Sequence, residues 1–374
     1  MKIGVNAGFL KKPYTGIGQY THFLYKELLK SGDEYVLMTP EKTGFKSTYV
    51  LNEISAGPDS VKKTYWEQIQ VPQFLKKEKV DVAHFPYPCN PWYPYKIPTV
   101  VTIHDTIPWD FPEYTPKVLS KLYHYQSKRA AKKATKIITV SEASKKDIIR
   151  HLKVPASKVK VIHNAASPVF SHDIKEDKLK EILDKHNLKK PYLLYVGGYD
   201  KRKNVNMLLE IYNKYIAPKY GVDLALAGEK LYNSPLYDDP DNLTQNPNNS
   251  SLKARGHVKR LGFVSNEELA AIYRGSLCLL HLSKKEGFNI PIVEAAESGA
   301  PLILSDTEVH REIAGNGADY VDLENEKEIA GKIERVVKDD HYRRELLEKS
   351  SHLKGKYTWE KAAEETLAVF KSLK

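Results

Sequence analysis

Short apolar runs alternate with amphipathic segments along this chain, and the alternation occurs twice. In the first half "KIGVNA", "EYVLMT", "VDVAHFP", "TVVTIHD", "KIITVS" and "KVKVIHN" read as strands. "GQYTHFLYKELLKSG" and "SEASKKDIIRHL" read as helices, the second with Ser141 as N-cap. "PYLLYVGG", "VDLALAG", "VKRLGFV", "LCLLHLS", "APLILSD" and "ADYVD" repeat the strand pattern, with helices "NVNMLLEIYNKY" and "NEELAAIYRGS" between them. Strands separated by helices require crossover connections, hence mostly parallel sheets covered on both faces. The expectation is an α/β chain of two similar halves, since 374 residues exceed what one core usually holds. The polar segment 165–190 reads as the hinge, giving domains 1–170 and 171–357 followed by an amphipathic terminal helix, 358–374. Two such halves leave a cleft faced by strand C-termini, where ligands of open α/β sheets bind.

Charge separates the halves. Residues 1–170 carry 26 Lys and Arg against 14 Asp and Glu, a net of +12, while the remainder is close to neutral. An anionic partner of the first half is expected. "KLYHYQSKRAAKKATK", 121–136, interleaves tyrosines with Lys128, Arg129, Lys132, Lys133 and Lys136. Peripheral contact with an anionic membrane and an ordinary solvated helix face both fit that pattern. Two cysteines, Cys89 and Cys278, form neither a disulfide framework nor a zinc site, which fits a cytoplasmic setting. No apolar stretch is long enough to cross a membrane, and "MKIGVNAGFL" reads as a strand rather than a signal peptide.

The chemistry concentrates in "KKEGFNIPIVEAAESGAP", 284–301. "LCLLHLS" is apolar enough for a buried strand, so Glu286 stands in the loop at its C-terminal end. Pro291 suits the first turn of a following helix, where a missing N–H costs nothing. The amides of Gly287, Phe288, Asn289 and Ile290 would then offer an anion site at the helix start. Eight residues at helical rise span roughly 12 Å, so Glu286 and Glu294 could hold hydroxyls at two ends of a nucleotide sugar. A solvated loop glutamate and a helix-surface glutamate give the same spacing. In "YVGGYDKRKNVN", Gly197 and Gly198 end a strand, and Arg202 and Lys203 enter a helix against its dipole. A diphosphate would compensate them. "YTGIGQYTHFL" sets Gly16 and Gly18 between first strand and first helix without the third glycine of a dinucleotide fingerprint. "TIHDTIPWDFPE" puts His104 at a strand end.

Together these segments resemble the retaining, nucleotide-sugar-dependent glycosyltransferases of the GT-B fold, family 4. "EGFNIPIVE", "VGGYDKRKN", "TGIGQYT" and "HDTIP" carry the resemblance, with "VSEASKKDI", "VIHN", "LGFVSNEELAAIYRGS" and "YTWEKAAEETL" in support. It implies two Rossmann-like domains facing a deep interdomain cleft, the first binding acceptor and the second donor. The terminal helix from Trp359 would cross back onto the first domain. It also implies site roles: Glu286 on hydroxyls of the donor sugar, Glu294 on the ribose, and Arg202 and Lys203 on the diphosphate. Gly16, Gly198 and the amides of Gly287, Phe288, Asn289 and Ile290 would face the phosphates, Val264 the base, and His104 the anomeric carbon. No cofactor and no metal are implied; Asp239-Pro-Asp241 lies in a long polar insertion, 232–256, and reads as a solvated turn. The family pattern has glycine where Asn289 stands and a small apolar residue where Glu297 stands.

The expected reaction is transfer of a hexose with retained configuration, first choice mannose from GDP-mannose, with UDP- or dTDP-sugars as alternatives. The expected acceptor is a glycan or a polyprenyl-diphosphate-linked glycan at the inner membrane face, not nucleic acid. A nicotinamide-dependent oxidoreductase is disfavoured by the missing third glycine and ribose-binding acid. A catalytically silent binding protein is the remaining rival, disfavoured by the intact glutamate pair.

Overall fold

The computed structural model describes residues 1–11, 15–45, 47–53, 57–93, 95–111, 117–228 and 255–374. Side chains are described for these except at 117–120 and 122. The chain divides into two compact units, the first Met1–Asn164 with Thr358–Lys374, the second Ala165–Tyr357. The polar segment read as a hinge therefore starts where the second unit starts. Its helix, Glu176–Lys185, buries Leu179, Ile182 and Leu183.

Unit one is a parallel seven-stranded sheet of β1 (Lys2–Asn6), β2 (Glu34–Thr39), β3 (Thr48–Val50), β4 (Val82–Phe85), β5 (Thr99–Thr102), β6 (Lys136–Thr139) and β7 (Val159–Val161). The order is β3-β2-β1-β4-β5-β6-β7, so the direction of winding reverses between β1 and β4. Its central strands read as apolar runs because both faces are covered: every residue of β4 and β5 is buried. β3 went unread because Thr48 to Val50 is three residues at an edge, half-buried or exposed. The basic segment 121–136 is not one helix. Helix Lys117–Lys133 ends first and Lys136 opens β6, where its Nζ donates to the Ser157 carbonyl at 3.0 Å.

The terminal helix, Trp359–Lys371, belongs to unit one. Thr358 caps it by accepting from the Lys361 N–H. The Trp359 ring stacks on Phe23 at 5.8 Å and meets Tyr20 edge-on at 6.1 Å, while Phe370 reaches His84 at 5.3 Å.

Unit two is a parallel six-stranded sheet of β8 (Tyr192–Val196), β9 (Asp223–Ala227), β10 (Val258–Gly262), β11 (Leu279–His281), β12 (Leu302–Ser305) and β13 (Asp319–Val321). The order β10-β9-β8-β11-β12-β13 reverses between β8 and β11. At such a reversal successive crossovers go to opposite faces, which opens a crevice beyond the strand ends. The inserted segment 232–256 falls largely outside the described residues, as does its Asp-x-Asp. Among the described residues no helix is long and apolar enough to cross a membrane.

Candidate active site

The reversal in the second sheet brings two loops together. After β8 come Gly197, Gly198 and a single 3-10 turn, Lys201–Lys203; after β11 comes the loop carrying Glu286. A backbone hydrogen bond from the Lys284 N–H to the Arg202 carbonyl, 2.7 Å, ties them. Gly197 is at φ +145, and a Cβ on Gly228, beyond β9, would stand 2.2 Å from the Gly197 oxygen. Gly228 thus serves the close approach of two backbones, and Gly197 supplies a positive φ, the first physical reason for the "VGG" strand end. The Gly198 carbonyl accepts from the Tyr195 hydroxyl at 2.7 Å.

Arg202 and Lys203 do not enter a helix. Their turn ends at Asn204 in the left-handed region, and helix Val205–Ile211 begins after it. They stand just before that helix start rather than inside it. Their compensating charge is internal. Arg202 Nη1 donates to Glu286 Oε2 at 2.6 Å, and Lys203 Nζ to Glu286 Oε1 at 2.9 Å. Arg202 Nη1 also reaches the Lys285 carbonyl at 2.8 Å, and Asp200 caps the turn through the Arg202 N–H at 3.0 Å. Burial would raise the Glu286 carboxyl, but Arg202 and Lys203 outweigh it and hold it well below the usual carboxylate range. Glu286 is thus an anion at any physiological pH. An ionised carboxylate has about four acceptor positions, and two are used here.

Helix Ile290–Ser298 starts with Pro291 in its first turn, as the sequence suggests, and ends at Gly299 in the left-handed region. Asn289, its N-cap, stands at φ +73, a conformation asparagine tolerates where most residues do not. Its Nδ2 reaches His281 Nδ1 at 3.1 Å and His310 Nε2 at 2.8 Å. His310 Nδ1 donates to the Ser305 carbonyl at 2.9 Å, which leaves Nε2 as the acceptor. The departure from glycine is therefore stabilised by two buried imidazoles. Glu297, the other departure, accepts the Gly355 N–H at 2.7 Å and so ties this helix to a turn at Gly355.

Glu294 is buried one turn further along the same helix, where the Tyr273 hydroxyl donates to its Oε2 at 3.1 Å. Burial pushes its carboxyl up to about 7, with the Tyr273 bond pulling the other way. The two glutamates thus differ in kind: one fixed as an anion, the other poised near neutrality. Gly287 and Phe288 are buried, the Phe288 ring edge-on to Tyr357 at 5.6 Å. Val264 is buried just past β10, while its neighbour Phe263 is 66% exposed. Sequence reasoning passed over Phe263, since burial of one apolar neighbour and exposure of the other is not legible in "GFV".

In unit one, helix Gly16–Leu28 already includes Gly16 and Gly18: Thr15 is the N-cap and accepts from the Gly18 N–H. These glycines form a helix's first turn rather than a loop between strand and helix. A Cβ on Gly16 would meet nothing within 4 Å among the described residues, so no contact with them demands glycine there. His104 is half-buried past β5, with Nε2 at 3.1 Å from the Pro86 carbonyl and the Tyr20 ring edge-on at 4.8 Å. Burial pushes its pKa down to about 4 against the pull of that carbonyl. The ring is therefore neutral, with Nε2 donating to Pro86 and Nδ1 left as acceptor. Among the described residues the one group with metal-ligand geometry is Asp110, Asp147 and His151. There Arg150 Nη2 stands 3.1 Å from Asp110 and 2.7 Å from Asp147, so a guanidinium already contacts both carboxylates.

Comparison with known proteins agrees with this architecture. The profile of Glycosyltransferase Family 4 matches residues 14–168, and that of Glycosyl transferases group 1 matches 177–352. The chain is 27% identical over 354 residues to O-antigen chain mannosyltransferase RfbU of Salmonella typhimurium, covering 89% of this chain and 90% of that one. It is 26% identical over 302 residues to O-antigen chain mannosyltransferase B of Escherichia coli, covering 80% and 76%. Among solved structures, WaaG, a glycosyltransferase involved in lipopolysaccharide biosynthesis, superposes with TM-score 0.76 at 14% identity over 99% of both chains. Anabaena HepE in complex with UDP-glucose superposes with TM-score 0.75 at 17% identity over the whole of both.

Proposed function

The chain belongs to the group 1 glycosyltransferases of family 4, with the GT-B fold, and from that premise we propose that it transfers a hexose from a nucleotide sugar to a glycan acceptor. The observation that supports this most is Glu286 held between Arg202 and Lys203 at the strand-order reversal of the second sheet. Two cations beside a helix start suit a diphosphate, and the unused acceptor positions of Glu286 suit sugar hydroxyls. Glu294 then accepts from the ribose, and the base lies against Val264.

In the reaction we infer, an acceptor hydroxyl oxygen bonds to the anomeric carbon as that carbon's bond to the diphosphate oxygen breaks. The hydroxyl proton leaves on the diphosphate, and reaction on one face retains the configuration. Arg202, Lys203 and the amides at the start of helix Ile290–Ser298 stabilise the charge that develops on the leaving group. Neutral His104 offers Nδ1 as an acceptor to a sugar hydroxyl rather than a proton. Mannose from GDP-mannose is the first choice, because the relatives named above are mannosyltransferases. A UDP-sugar is the second reading, because HepE is solved with UDP-glucose.

A thermal-shift screen against GDP-, UDP-, dTDP- and ADP-sugars tests both. A ligand that binds only the native state at a hundred times its Kd adds about 2.7 kcal/mol. GDP-mannose is expected to give the largest rise, and Glu286→Gln to lose most of it. Stabilisation by a nicotinamide cofactor with none by any nucleotide sugar would refute the proposal.

A further inference from the structure

Between β11 and helix Ile290–Ser298 runs the loop 282–289, which carries Glu286 and leads into the amides at the helix start. Both ends of this loop converge on one buried imidazole. His310 belongs to helix Glu308–Ala314, on the far side of β12 in the chain. Its Nε2 lies 2.8 Å from Asn289 Nδ2 at the loop's end and 3.3 Å from Ser283 Oγ near its start. A second bond closes the start: Ser305 Oγ, at the end of β12, donates to the Ser283 carbonyl at 2.5 Å. His310 is itself held at three points. Thr307 Oγ1 accepts from its backbone N–H at 3.3 Å, the Tyr320 hydroxyl donates to its carbonyl at 3.3 Å, and its Nδ1 donates to the Ser305 carbonyl at 2.9 Å.

The last of these bonds sets the direction of the rest. With its proton on Nδ1, His310 offers Nε2 only as an acceptor, so Asn289 must present its amide nitrogen and not its oxygen. The second hydrogen of that nitrogen goes to His281 Nδ1 at 3.1 Å. The Asn289 side chain is thereby fixed in place and in sense, and its backbone is held at φ +73 with it. Burial lowers the pKa of both imidazoles, which keeps them neutral acceptors at pH 7. The cluster also reaches the other loop of the site. The His281 ring stacks on Tyr195 at 5.6 Å, and the Tyr195 hydroxyl donates to the Gly198 carbonyl at 2.7 Å.

Stability alone does not call for this arrangement. Asn289 Oδ1 and His281 Nε2 are buried without a hydrogen-bond partner among the described residues, and each such group costs about 1–3 kcal/mol. Glycine would adopt the same backbone conformation with no side chain to satisfy. Polar groups kept at that cost, on both sides of a binding loop and anchored to regular elements, suit the placement of the loop.

We propose that His310 is a positioning residue: through Asn289 and Ser283 it holds the Glu286 loop in its donor-binding shape before the donor arrives. The carboxylate and amides then meet the diphosphate and sugar without reorganising. This rests on the reading of that loop as the donor site. Titration of GDP and of UDP into a double-mutant cycle tests it. His310→Leu removes the acceptor, and Asn289→Gly removes the donor while leaving the left-handed turn accessible. Each is expected to weaken the tighter-binding nucleotide at least fivefold, the double variant no further than either alone, and His310→Gln, which restores an acceptor, to recover most of the loss. In the ligand-free protein, amides 284–290 should exchange hydrogen faster in both single variants while strand Asp223–Ala227 keeps its protection. Should His310→Leu fail to fold, Asn289→Gly and its exchange pattern decide alone. Single variants that bind within twofold of the wild type, additive losses in the double variant, or unchanged exchange at 284–290 would each overturn the proposal. If the wild type binds a nucleotide in that event, the donor site stands and only the positioning role is lost. If it binds neither nucleotide, the donor reading falls and the proposal with it.

Discussion

Two glutamates eight residues apart have opposite electrostatic fates, and burial with partners decides which. Glu286 has two cations and Glu294 a single hydroxyl, so the first is locked as an anion while the second is raised to about 7. Ribose hydroxyls donate, and they bind better to a carboxylate than to its protonated form. Donor KM is therefore expected to fall as pH rises through about 7 and to level off above it. Glu294→Gln should flatten that profile at a higher KM, read from initial rates between pH 5.5 and 8.5. A profile identical in the variant would remove Glu294 from donor binding. The sequence made both acids visible through Pro291 and the strand before them. It hid the ion pairs, because Arg202 and Glu286 meet only when β8 and β11 lie side by side. The imidazole pair beneath Asn289 was hidden for the same reason: His281 and His310 come from separate elements.

Elements were legible where their periodicity is strong and obscure where burial is partial. Buried strands such as Tyr192–Val196 announce themselves as apolar runs, whereas edge strand Thr48–Val50 buries none of its residues. The terminal helix was legible as amphipathic, and its packing on helix Gly16–Leu28 follows from Trp359 and Phe370. Trp359 is 3% exposed, and its Nε1 has no hydrogen-bond partner among the described residues. Trp359→Ala is expected to cost about 3–5 kcal/mol by leaving a cavity. Trp359→Phe should cost much less, because it removes a buried donor whose desolvation costs about 1–3 kcal/mol. Urea denaturation of both variants measures the difference; equal losses would mean the indole N–H is satisfied.

At the scale of the molecule, buried histidines set the acid limit. His84, His281 and His310 are each 0% exposed, and burial lowers the pKa of all three, His84 to about 3. The folded state therefore binds fewer protons than the unfolded chain below the ordinary histidine pKa of about 6.5. Stability is full above that pH and falls as pH drops toward the folded values, about 1.4 kcal/mol per unit for each group. His22, His104 and His151 are lowered by burial as well, and Glu294 and Glu67, both raised by burial, act in the opposite sense, two groups against six. The melting temperature should fall steadily from pH 7 to pH 5, and a rise would contradict the burial described. The doubled architecture was legible because alternation of strand and helix is a local property repeated along the chain. The order of strands, and with it the location of the site, depends on contacts that no local pattern encodes.

The direct measurement is titration of GDP into Lys203→Met, which keeps the chain's volume while Arg202 still neutralises Glu286. If the diphosphate rests on this cluster, loss of one charged hydrogen bond, about 1.5–3 kcal/mol, weakens binding roughly ten- to a hundredfold in a protein that still melts cooperatively. Affinity within twofold of the wild type would mean that the phosphates lie elsewhere.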